Sequence, residues 1–210
     1  MTRKVTDGPI RNKERTKANL INAVRKILKK EGFPGLNITK VADEAKVDRR
    51  LIYDYFGGLE GLVHAYLSEK DYWKINSEDI GEIVEANRSD AGKALTFGVL
   101  EDQFDSLMSS EEMRQIITWG LSEKLSTLKE LDLKREKIGD EIFGKLMDGY
   151  FKNTDKNFRA IYALLMGGVY YISLHSNMQE NPFCGIDVQQ PEGKAEIKNA
   201  LKQLIDFAYA

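Results

Sequence analysis

Apolar residues along this 210-residue chain recur three and four positions apart over most of its length, and no stretch alternates apolar with polar in the manner of a strand. The pattern predicts an all-α protein. Leu20, Ile21, Val24, Ile27 and Leu28 define a long amphipathic helix over Lys13 to Glu31, which Gly32 ends as a left-handed cap; Phe33 and Leu36 then pack on it. Val41, Ala42 and Ala45 mark a short second helix, and Leu51, Ile52, Tyr55 and Phe56 a third. Only Lys46-Val47 lies between these two, with Asn37 and Asp48 placed to cap their starts. Helices joined so tightly cross steeply, and Ala42 is small enough to let the backbones approach, as in a helix-turn-helix.

Beyond Gly57-Gly58 the pattern predicts a helix from about Leu59 to Asn76 on Leu62, Val63, Tyr66, Leu67, Trp73 and Ile75. Ser77 to Ser89 is polar and acidic and reads as a loop with a short helical turn. Further helices follow over Ala91 to Met108, from Ser110 through Leu121, over Leu125 to Phe151, over Lys156 to Asn177 and over Gly193 to Tyr209. The second of these opens on the capping pattern Ser109-Ser110-Glu111-Glu112. Asn181 to Glu192, with two prolines and a glycine, is a loop.

The Asn37–Phe56 stretch resembles the DNA-binding domain of the TetR (tetracycline repressor) family of transcription regulators. The residues that carry the likeness are the long helix before Gly32, then Phe33, Gly35-Leu36, Asn37-Ile38, Val41-Ala42, Ala45, Val47, Ile52-Tyr53, Tyr55-Phe56 and Leu62. The resemblance implies an N-terminal three-helix DNA-binding domain, followed by a helical domain for ligand binding and dimerisation. The expected division is a flexible basic arm over residues 1–12, the DNA-binding domain over 13–58 and the helical remainder over 59–210. It also implies that Thr39 and Lys40 at the start of the first motif helix, and Asp48, Arg49, Arg50, Tyr53 and Asp54 on the second, face DNA. Tyr53 would touch a phosphate, and arginine is the side chain best shaped to fork onto guanine. Two positions depart from the pattern. Lys46 stands where the family usually has a glycine, and a left-handed backbone there costs ~1 kcal/mol. Leu59 stands where a phosphate-contacting lysine is usual.

Charge sharpens this picture. The whole chain carries a formal charge of only −2, but residues 1–56 hold 14 Lys and Arg against 7 Asp and Glu, a net of +7, leaving −9 for the rest. A basic end on an acidic body orients an encounter with phosphate; plain scatter of charge over solvated helices is the other reading.

Candidate chemistry elsewhere is sparse. Cys184 is the only cysteine, so no intrachain disulfide or cysteine cluster can form, which suits a reducing, cytoplasmic setting. His64 and His175 fall on different predicted helices without metal-ligand spacing, and no glycine-rich phosphate loop is present, so neither an enzyme nor a cofactor is expected. The basic N-terminus lacks an apolar core for a secretory signal, and the run Ile161 to Leu174 is too short for a membrane span.

Two regions of the helical remainder invite function, each with a plainer alternative. Trp73, Phe97, Phe104, Trp119, Tyr162 and Tyr170 either line an apolar ligand pocket or simply fill a core. Ala160 to Leu174 is apolar on more than one face, and Gly167-Gly168 weaken it unless another backbone comes close. With the final helix it forms either a dimer interface, through Tyr162, Met166, Gly167, Tyr170, Leu201 and Leu204, or an intramolecular core. The expectation is a homodimeric regulator that binds a palindromic operator in double-stranded DNA and is released by a small apolar or amphipathic effector. The alternative, favoured by Lys46 and Leu59, is an adaptor of the same fold that acts through protein contacts.

Overall fold

A computed structural model describes residues 9–69, 78–122, 126–179 and 181–210 of the chain. All the regular elements among them are helical, and two backbone segments each build their own core. Among the described residues, the first compact unit comprises 9–69 with 126–128, the second 78–122 with 129–179 and 181–210.

In the first unit, α1 (Pro9–Glu31) lays Leu20, Ala23, Val24, Ile27 and Leu28 into the core. It begins at Pro9, four residues before the expected start, so residues 9–12 belong to the helix rather than to an arm. Proline suits that position because its missing amide would have had no partner and its φ is already helical. Gly32, at φ 67°, ends α1, and a 3₁₀ turn over Phe33–Gly35 leads to α2 (Ile38–Ala45). The next helices are α3 (Arg50–Phe56) and α4 (Leu59–Glu69). Leu62, Val63, Tyr66 and Leu67 of α4 are buried as α4 packs on α1 and α3, which carries the unit past the expected boundary at 58. No helix among the described residues is long and apolar enough to cross a membrane.

The second unit contains α5 (Ile80–Ala86), α6 (Lys93–Ser109), α7 (Glu111–Ser122), α8 (Ser126–Ile142) from residue 129 onward, a π-turn (Phe143–Met147), α9 (Asp148–Phe151), α10 (Phe158–Gln179) and α11 (Pro191–Tyr209). Helix α5 is the short helical turn expected before Ser89, extended to seven residues: Ile80 and Val84, one turn apart, bury their side chains and overcome the polar composition around them. Asp90 opens α6 by accepting the amides of Gly92 (3.1 Å) and Ala94 (2.9 Å), and Ser110 opens α7 through the amide of Met113 (3.1 Å). Helix α6 is central, with α10 and α11 packed against it; Leu100, Phe104 and Leu107 are fully enclosed. The end of α11 is pinned by an aromatic cluster, in which Phe151 and Phe158 stack at 4.3 Å and the Tyr209 hydroxyl donates to the carbonyl of Ala91 (3.0 Å). Burial pushes the Tyr209 phenol up to about 12.

Candidate nucleic-acid interface

The Asn37 carboxamide accepts the amide of Lys40 at 3.0 Å, capping α2. Val41 and Ala42 are buried, fixing the face that α2 turns inward. At its other end Lys46 adopts φ 55°, ψ 47°, a left-handed residue whose amide reaches the carbonyls of Ala42 and Asp43. This one residue reverses the chain. Val47 then donates to the carbonyl of Ala42 (3.0 Å), closing the turn, and the Asp48 carboxylate accepts the amide of Arg50 at 2.8 Å to start α3.

Ile52 is wholly buried and sets the register of α3. With Ile52 inward, Arg49, Arg50, Tyr53 and Asp54 are all exposed; Tyr53 keeps 55% of its surface. Its ring lies beside Gly58, and the exposed remainder of the side chain is available to a partner. Tyr55 is half-buried, and the Lys13 ammonium of α1 lies over its ring, 5.3 Å from the centroid. This contact ties the start of α1 to the back of α3.

The cations divide into two sets. Lys26 is bonded to Glu44 at 2.8 Å and Lys40 to Glu31, both pairs joining α1 to α2, and these hydrogen bonds hold the two carboxyls below the usual glutamate range. Lys40, expected to face DNA, is therefore exposed but already engaged. Arg49 and Arg50 make no ion pair among the described residues. Thr39 lies exposed in the first turn of α2, and the expected DNA-facing residues share exposure without exception. Leu59 starts α4 half-buried, so an apolar side chain occupies the expected lysine position.

In the second unit, Phe104 and Trp119 are buried, while Phe97, Tyr162 and Tyr170 are half-buried; Trp73 lies outside the described residues. The Tyr162 ring meets Phe143 edge-on at 5.2 Å, and burial raises the phenols of both Tyr162 and Tyr170. Of the residues expected at a dimer interface, Leu201 is instead part of the unit's own core, 6% exposed, because α11 turns that side toward α6. Met166, Tyr162 and Tyr170 are partly covered, whereas Gly167 and Leu204 are exposed. The exposed set is completed by residues the sequence reading passed over: Leu164 (77%), Tyr171, Met178 and Phe207 (70%). Leu164, Gly167, Tyr171 and Met178 recur three, four and seven positions apart and so form one stripe of α10, with Leu204 and Phe207 on α11. A Cβ built on Gly167 or Gly168 would meet nothing within 4 Å.

Comparison with known proteins bears on the interface directly. Residues 20–66 match the family model described as bacterial regulatory proteins, tetR family. The chain is similar to the HTH-type transcriptional repressor NicS of Pseudomonas putida, 29% identical over 121 residues that cover 55% of this chain and 57% of that one. It is also similar to the HTH-type transcriptional regulator BetI of Burkholderia mallei, at 27% over 123 residues covering 57% and 60%. The chain thus spans less than two thirds of the length of these curated relatives. Among solved structures, the transcriptional regulator FadR from Bacillus subtilis in complex with stearoyl-CoA superposes with a TM-score of 0.58, at 16% identity, over 90% of this chain and 96% of that one. The fatty acid degradation regulator FadR from Bacillus halodurans gives 0.55 at 18% identity over 96% and 97%. At such identities the likeness shows a shared fold.

Proposed function

We propose that the chain is a transcription regulator of the TetR family, a homodimeric repressor that grips an operator with α3 and is released by a small apolar or amphipathic molecule. The observation that carries the DNA-binding part is the face of α3: Ile52 fully buried on one side, and Arg49, Arg50, Tyr53 and Asp54 exposed together on the other. Arginine pairs in a fork with guanine in the major groove, and a tyrosine hydroxyl bonds phosphate, so this face combines base reading with backbone positioning.

The homodimer rests on the stripe of α10 and α11. Leu164, Tyr171, Leu204 and Phe207 are uncovered within the unit, and Gly167 offers a place where another backbone can approach. Two copies related by a two-fold axis would cover both stripes and present two readers to a palindromic operator. The effector rests on the half-buried Tyr162, Tyr170 and Phe97 and on Ser173, whose hydroxyl is fully buried without a hydrogen-bond partner among the described residues. Such a set offers apolar walls with a polar handle.

A footprint of the protein on the DNA upstream of its own gene tests the reading. Two protected half-sites about one helical turn apart, or a multiple of it, are expected. Uniform cleavage at concentrations that saturate binding would overturn it.

A further inference from the structure

We infer that Lys46, the left-handed residue of the turn, is a phosphate-binding residue of the DNA interface. The inference rests on the DNA-binding reading of α3. Three observations carry it. First, a lysine holds the left-handed C-cap of α2, at φ 55°, where glycine would be unstrained, and this position lies just before the reading helix. Second, its ammonium makes no ion pair among the described residues: Glu44, which feels its charge, is bonded at 2.8 Å to Lys26 instead, and the Asp48 carboxylate is turned onto the amide of Arg50. Third, Lys46 is exposed and lies three residues before Arg49, so their backbones are at most about 11 Å apart. Duplex DNA presents one charge per about 1.7 Å of axis, so a cation this close to the reader faces phosphates rather than base edges.

The ligand is a non-bridging oxygen of the duplex backbone. Lys46, Arg49 and Arg50, none of them in an ion pair among the described residues, then form one basic edge, while Lys26 and Lys40 hold α1 to α2. The same edge supplies a backbone contact that Leu59, apolar and half-buried, does not make.

The test separates charge from conformation. Lys46→Gly relieves the left-handed strain and removes the charge, Lys46→Asn tolerates the backbone without the charge, and Lys46→Arg keeps the charge. Each is titrated against a short mixed-sequence duplex and against the upstream DNA of its own gene over a range of salt. Glycine and asparagine should weaken binding to both duplexes roughly 3- to 10-fold and flatten the salt slope by about 0.9 per subunit. Lys46→Arg should retain both, while Lys46→Gly melts about 2–4 °C higher than the parent. Opposite movement of affinity and stability excludes unfolding as the cause. Unchanged affinity and slope in Lys46→Gly, with Arg50→Ala weakened, would overturn the role of Lys46 alone. No salt-dependent binding by the parent protein would overturn the DNA-binding reading with it.

Discussion

Replacing Leu164 by glutamine tests the two-fold assembly through a single side chain. Leu164 keeps 77% of its surface in the isolated chain, so the substitution leaves the fold intact and removes apolar area only where a partner would cover it. Full burial of a leucine is worth about 1.5–3 kcal/mol, and covering three quarters of one therefore contributes about 1–2 kcal/mol. A two-fold axis counts each substitution twice, giving about 2–4 kcal/mol, or roughly 30- to 700-fold in the dimer dissociation constant. Sedimentation velocity over a concentration series reads that constant, with circular dichroism to check that helicity is retained. Phe207→Gln, on the neighbouring helix and 70% exposed, should act in the same direction. A dimer constant unchanged in both variants would refute this face as the interface, and a parent protein that stays monomeric at every concentration would refute the assembly.

Arg50→Ala should weaken binding to the operator by about 1–3 kcal/mol while changing non-specific binding less, whereas Tyr53→Phe should weaken binding to all sequences alike; competition titrations distinguish the two. Ile52 is completely enclosed, and Ile52→Ala should cost about 2–5 kcal/mol, seen as a lower urea midpoint for the first unit. Arg159 donates to Asp148 (2.7 and 2.9 Å) and Asp140 (2.7 Å), and its hydrogen bond holds the Asp148 carboxyl below the ordinary 3.8. A depressed carboxyl stabilises the fold above its unfolded value and loses that contribution as pH falls through the folded one. Arg159→Met should therefore remove part of the acid dependence of stability below about pH 4, and an unaltered profile of melting temperature against pH would contradict the linkage.

The all-helical fold was legible because the period of three to four persists through nearly every segment, and the caps at Asn37, Asp90 and Ser110 sit where short polar acceptors precede apolar runs. The left-handed backbone at Lys46 was legible through the family resemblance, which puts a glycine at that position. What escaped depended on packing that one sequence does not encode locally. Helix α10 is apolar on several sides, so spacing alone did not separate the side covered by α6 from the side left bare, and Leu201 was assigned to the wrong side of α11 for the same reason. Lys40 looked like a free cation because its partner, Glu31, lies nine residues away across a helix junction. Of α5 only a helical turn was legible, because acidic neighbours obscure its extent, although Ile80 and Val84 are spaced one turn apart.

The most direct test of the central claim is a titration of the purified protein against the DNA flanking its own gene, run at several salt concentrations beside a scrambled duplex of equal length. Tight binding to the native duplex alone, weakening steeply as salt rises, is the expected result. Equal and weak binding to both duplexes would contradict the assignment of α3 as a sequence reader at that site and would favour an adaptor that works through protein contacts.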